Sequence, residues 1–208
     1  MQTFEAKDGW AVLRAQWADR LPEAVLAALD EAVAFATLRH GDQTRPAGEP
    51  YLEHLLEATS VLVEAVGVTD ADVLRAAVLH DVVEDTDCTL AEVRDRFGER
   101  AAVLVDWVTK PPRPEGQSRE EARAAYLDRL AHATDDAAIL VKLADRLSNV
   151  QRLDTHPRPA KAAAYYDETV RLILPLAADR PWFGDWYEDW RTEFRGLAAA
   201  ATSTSPEA

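Results

Sequence analysis

One cysteine stands among 208 residues, Cys88, so no intrachain disulfide can form. That fits a reducing compartment, and a cytoplasmic location is expected. Glycine is scarce at eight residues, while Ala, Leu, Glu and Arg recur throughout, which favours helices. No stretch of about 18 apolar residues is present, so no membrane span and no membrane partner are expected. Met1 to Asp19 has no apolar run behind a basic start, so no signal peptide is expected. Positive charge is short as well: 23 Lys and Arg stand against 37 Asp and Glu, a formal net charge of -14. A long nucleic-acid backbone needs a basic field, so nucleic acid is not an expected partner. A small anionic substrate stays open, because it needs only a local cluster of Lys, Arg and metal. Strand signals are missing too: there is no alternating Val/Ile/Thr-rich segment with hairpin turns. There is no G-x-G-x-x-G, no Walker loop and no fixed-period repeat.

What is present reads as a soluble, all-α, single-domain chain, with 48% hydrophobic and 29% charged residues. The pattern predicts helices over 21–40, 50–66, 71–84, 89–98, 99–109, 118–132, 136–153, 160–178 and 185–200. Pro50 suits a first helical position. Thr69 or Asp70 can cap the helix that follows Gly67, and Thr89/Glu92 and Ser118/Glu121 are capping-box pairs. Residues 110–117, with three prolines, form a loop. The division is an N-terminal extension over 1–20, a helical domain over 21–200 and a disordered tail over 201–208. Trp182, Trp186 and Trp190 recur every four residues, a stripe that suits core packing or a homo-oligomer surface.

Three segments carry polar groups out of keeping with their apolar surroundings. His80, Asp81, Glu84 and Asp85 close the 71–84 helix, and on a helix at about 100° per residue they share one arc. Packed carboxylates repel, and burial raises their cost. A divalent cation resolves this, with His80 and Asp81 as ligands and Glu84 and Asp85 left for proton transfer or water positioning. A frayed, solvated helix end accounts for the same residues as readily. In the second segment Lys142, Asp145, Arg146 and Asn149 follow i, i+3, i+4, i+7 spacing as one polar stripe on a largely apolar helix. The third is His54, in Gly48-Glu-Pro-Tyr51-Leu-Glu-His54. A mixed histidine and carboxylate set suits Mn²⁺, Fe²⁺ or Zn²⁺.

Together these segments resemble the HD-domain superfamily, and within it the hydrolase domain of RelA/SpoT-type alarmone enzymes. His54, His80-Asp81 and Asp145 match the H…HD…D order. His40-Gly-Asp-Gln43-Thr-Arg45 with Gly48 to Tyr51 resembles the substrate loop. His80 to Thr86 resembles the catalytic motif, and Lys142 to Leu147 with Asn149 the last ligand motif. The likeness spans roughly residues 25–178. It implies a single HD-domain helical bundle with Mn²⁺ held by His54, His80, Asp81 and Asp145. Glu84 and Asp85 would be catalytic, and Arg45, Tyr51, Lys142, Arg146 and Asn149 would bind substrate.

The reaction implied is removal of the 3′-pyrophosphate of (p)ppGpp, giving GDP or GTP and pyrophosphate. A chain of 208 residues has no room for the family's synthetase and regulatory domains. The expectation is a stand-alone small alarmone hydrolase, similar to the metazoan SpoT homologues. Four positions depart from the pattern: Pro46, Leu55, Ser148 and Gln151 stand where the family often has a basic residue, proline, histidine and arginine. These leave two alternatives: another nucleotide such as (p)ppApp or NADPH, or a non-catalytic nucleotide-binding module. Intact Glu84 and Asp85 count against the last.

Overall fold

Capping side chains and turn residues divide the chain into helices, in a computed structural model that describes residues 1–197. The tail expected to be disordered, 201–208, lies outside the described residues. The all-α expectation holds: among the described residues there is no strand, only an isolated bridge between Thr44 and Pro50. The helices are α1 (Gly9–Gln16), α2 (Glu23–His40), α3 (Tyr51–Ser60), α4 (Ala71–Leu79), α5 (Val82–Asp85) and α6 (Leu90–Phe97). They continue as α7 (Glu99–Val108), α8 (Arg119–Ala131), α9 (Ala137–Val150), α10 (Pro159–Glu168), α11 (Leu174–Ala177) and α12 (Pro181–Glu193).

The caps explain most boundaries. Asp70 accepts from the backbone N–H groups of Asp72 and Val73 and opens α4. Ser118 and Glu121 complete a reciprocal capping box at α8. Thr89 caps α6 through the Glu92 N–H, but the box is only half made, because the Glu92 carboxylate pairs with Arg39 instead. Pro50 is the cap of α3 rather than its first residue. Gly67, at φ 76°, ends a wide π turn (Val61–Val66) that prolongs α3.

Further expected bounds need correction, among them 136–153, which ends at Val150. The helix expected over 71–84 stops at Leu79 and resumes at Val82. The helix expected over 160–178 is α10, a π turn (Thr169–Ile173) and α11. The one expected at 185–200 starts at Pro181, whose missing N–H costs nothing there, and α12 ends at Glu193, while 198–200 lie outside the described residues. Helix α1 was not foreseen, yet Leu13 and the following Trp17 are buried in the core.

Helices α3, α4 and α9 pack on one another, with α2 and α7 against α4. Helix α12 braces α9. Phe183, Trp186, Tyr187 and Trp190 are buried, so most of the aromatic stripe is core, while Trp182 is half-buried edge-on to Phe4. Tyr187 Oη donates to the Leu143 carbonyl at 2.7 Å, and Trp190 Nε1 to that of Val150 at 2.9 Å. Trp190 also stacks on Tyr166. Trp190→Ala should cost about 3–5 kcal/mol, the range for emptying a buried aromatic site. Urea unfolding followed by circular dichroism reads this; a loss below about 1 kcal/mol would contradict the packing.

Candidate metal centre

The break between α4 and α5 shapes the site. Adjacent residues on an unbroken helix diverge by about 100°. Asp81 sits instead in a turn, at φ -103° and ψ -4°, and so brings its carboxylate to the same point as the His80 ring. His54 comes from the first turns of α3 and Asp145 from the middle of α9. One ligand atom from each of the four residues lies within 4.8 Å of the others.

The four inward atoms are all of acceptor type. His80 Nδ1 donates outward to the Ala77 carbonyl at 2.7 Å, so its Nε2 points in. His54 Nδ1 meets Ser148 Oγ at 2.9 Å, and its Nε2 also points in. The two Nε2 atoms are 3.1 Å apart. His80 Nε2 lies 3.1 Å from Asp81 Oδ2, and His54 Nε2 lies 3.3 Å from Asp145 Oδ1. Two imidazoles and two carboxylates facing one another could hold a cation. This donor set fits a borderline or hard divalent ion.

In the free chain a proton serves instead. Burial acts to lower the His80 pKa, but the Asp81 charge and a hydrogen bond to Asp145 outweigh it and hold it well above the usual imidazole value. Burial acts to raise Asp81, yet the His80 charge and bonds from both histidines keep it well below the usual carboxylate range. Asp145 is depressed too: against burial work the Lys142 charge and both histidines.

Polar neighbours fix these ligands. Lys142 Nζ donates to Asp145 Oδ2 at 2.6 Å, and Asn149 Nδ2 to Asp145 Oδ1 at 2.8 Å. Tyr51, stacked on His40, places its hydroxyl 2.7 Å from Asp81 and 2.8 Å from Asp85. Burial and the Asp81 charge push its pKa far up, so it remains a phenol and a donor. Glu84 is outside the cluster and pairs with Lys110 Nζ at 2.6 Å.

A cavity of about 140 Å³ opens over the cluster. It is lined by the acidic Asp81, Asp145, Glu84 and Asp85 and by the basic Lys110, Arg123, Lys142 and Arg146. Glu168 holds Arg146 and, at 2.8 Å, Arg123. A larger cavity of about 250 Å³ shares Tyr51, Asn149 and Tyr165 with the first. Arg45, Arg152 and Lys161 line it. Of the residues expected to bind substrate, Tyr51, Lys142, Arg146 and Asn149 line the smaller cavity. Arg45 lies in the larger one, with its guanidinium already bonded to Glu57 and the Ser148 carbonyl.

A family model described as HD domain matches residues 32–181. The chain belongs to the HD domain family. An HD domain implies a divalent metal, and the cluster could hold one. The guanosine-3′,5′-bis(diphosphate) 3′-pyrophosphohydrolase of Aquifex aeolicus (strain VF5) is 39% identical over 171 residues, 80% of this chain and 24% of that protein. The bifunctional (p)ppGpp synthase/hydrolase SpoT of Escherichia coli (strain K12) is 36% identical over 159 residues, 76% of this chain and 22% of that one. The chain thus spans about a quarter of the length of these relatives. A solved structure, described as a metazoan ortholog of SpoT that hydrolyzes ppGpp, matches with a TM-score of 0.72 at 28% identity. That match covers 82% of this chain and 97% of the other. The resemblance to SpoT-type enzymes read from the sequence therefore holds.

Sequence reasoning missed several residues of this HD domain's cavities: Lys110, Arg123, Arg152, Lys161 and Tyr165. Their positions depend on long-range packing. The one local signal was the basic spacing of Arg158 and Lys161 around the start of α10.

Proposed function

We propose that this HD domain is a cytoplasmic Mn²⁺-dependent hydrolase of the 3′-pyrophosphate of guanosine tetra- and pentaphosphate, releasing GDP or GTP and pyrophosphate. The observation that carries this reading is the pair of adjoining cavities. The smaller one brings four cationic side chains together with Asp81 and Asp145 of the cluster, and the larger one offers basic groups to a phosphorylated nucleoside. The names of the relatives support the (p)ppGpp hydrolase part of this reading.

His54, His80, Asp81 and Asp145 would hold the ion. A divalent ion there supplies Lewis acidity, drawing charge off a phosphoryl oxygen and making water more acidic. The chain's own groups do the rest. Lys110, Arg123, Lys142 and Arg146 bind and orient the pyrophosphate. Tyr51 and Asn149 line both cavities, where the nucleoside would join the pyrophosphate. Arg45 pairs with or stacks on the nucleotide. Glu84 takes the proton of the attacking water, and the new P–O bond displaces the 3′ oxygen. Asp85, bonded to the Tyr51 hydroxyl, positions that water or returns a proton to the leaving 3′ oxygen.

The test is incubation of purified protein with Mn²⁺ and, separately, ppGpp, ppApp and NADPH, with products resolved by anion exchange. Pyrophosphate from ppGpp is expected. Cleavage of another substrate alone would move the specificity, and cleavage of none would leave a nucleotide-binding module.

Loading the ion also has a pH signature. Below its raised pKa His80 carries a proton that the ion must expel. Mn²⁺ affinity should therefore climb with pH, with proton release accompanying the ion. Calorimetry in buffers of different ionisation enthalpy measures this. Affinity flat in pH, with no proton released, would contradict it.

A further inference from the structure

Glu57 is 1% exposed, deeper than the ligand Asp145 at 7%, yet it takes no part in the chemistry above. Burying a carboxylate is costly unless it is paired and fully hydrogen-bonded. Glu57 meets that condition with four partners. Its Oε2 accepts from Arg45 Nη1 at 2.8 Å, Ser148 Oγ at 2.6 Å and Gln151 Nε2 at 3.1 Å. Its Oε1 accepts from Arg152. Ser148 and Gln151 are two of the four positions that depart from the resembled pattern. Both departures meet on this one carboxylate.

The partners lead in two directions. Toward the cluster, proton counting decides the arrangement. A hydroxyl has one proton. Ser148 gives it to Glu57, a carboxylate that also faces two guanidinium groups and so can only accept. Ser148 Oγ must then accept from its other neighbour, His54 Nδ1, at 2.9 Å. A neutral imidazole protonated at Nδ1 has its lone pair on Nε2, the atom that faces His80, Asp81 and Asp145. Toward the larger cavity, Glu57 anchors Arg45 and Arg152, both of which line its wall. Gln151 extends the same unit to the N-terminal segment, bonding the Phe4 N–H at 2.7 Å and the Phe4 carbonyl at 3.0 Å.

We infer that Glu57 is a positioning residue for both halves of the site. Through Ser148 it holds His54 with Nε2 open to the ion, and directly it holds Arg45 and Arg152 at the nucleotide cavity. The inference rests on the proposed metal centre, so its test begins with the metal alone.

Metal-free wild type, Ser148→Ala and Glu57→Gln are titrated with Mn²⁺ by calorimetry. Loss of an outer partner to a metal-ligating histidine typically costs 10–100-fold in affinity, so a fall of about tenfold or more is expected in both variants. In ¹⁵N-histidine spectra of the metal-free protein, His54 should be in the Nδ1–H form in wild type and should lose that form in Ser148→Ala. A purely structural hydroxyl would not move that signal. Ser148→Ala removes only the relay, so it decides should Glu57→Gln fail to fold by circular dichroism. Mn²⁺ affinity within about twofold of wild type in Ser148→Ala, or an unchanged His54 tautomer, overturns the inference. Wild-type protein that binds no Mn²⁺ overturns instead the metal-centre reading beneath it.

Discussion

Asp81→Asn should reduce kcat/KM on ppGpp by more than about 100-fold while the fold stays intact. The side chain keeps its size, and its oxygen can still accept from the Tyr51 hydroxyl. What disappears is one of the two carboxylate charges that would answer a cation held beside His54 and His80. Outer partners of a metal ligand already cost about 10–100-fold when removed, so losing the ligand itself should exceed that. The free chain gives up the attraction of Asp81 to His80 and its bonds from both histidines, which outweigh its repulsion from Asp145, so the variant is also less stable without metal. Mn²⁺ should raise the Tm of wild type and leave that of Asp81→Asn unmoved, since only an ion that binds the native state stabilises it. Thermal melts with and without Mn²⁺, alongside steady-state kinetics, read both effects. A variant that keeps wild-type turnover would remove Asp81 from the proposed ligand set.

Glu84→Gln should behave differently. Glu84 pairs with Lys110 at the wall of the smaller cavity and supplies no atom to the four-residue cluster. Mn²⁺ affinity should stay at the wild-type value. If Glu84 takes the water's proton, kcat should fall by about 10²–10⁴-fold, the usual worth of a general base. Asp81→Asn thus loses metal and turnover together, while Glu84→Gln loses turnover alone. Glu84→Gln with kcat within about threefold of wild type would take proton transfer away from this residue.

How much of this the sequence disclosed depended on the range of the interaction. The helices of α2, α3, α8 and α9 follow from apolar periodicity and from caps such as Ser118, which act within a few residues. The break at His80-Asp81 was illegible, because Val82 and Val83 continue an amphipathic pattern with no Gly or Pro to interrupt it. That break is what lets neighbouring side chains converge, so periodicity misjudged the feature on which the centre depends. The gathering of His54, His80, Asp81 and Asp145 was legible only through resemblance, since the distance from α3 to α9 along the chain is set by tertiary packing. Lys110 lies 26 residues from Glu84, and Glu57 lies 91 residues from Ser148. Neither pair has a local signature. Glu57 in particular reads as one more acidic residue on a helix until its burial is seen.

The most direct test of the account is a crystal of the protein soaked in Mn²⁺, with anomalous data collected at the manganese edge. The account predicts a peak bounded by His54 Nε2, His80 Nε2 and the carboxylates of Asp81 and Asp145. A peak at other residues, or none in crystals whose cluster is open to solvent, would contradict it.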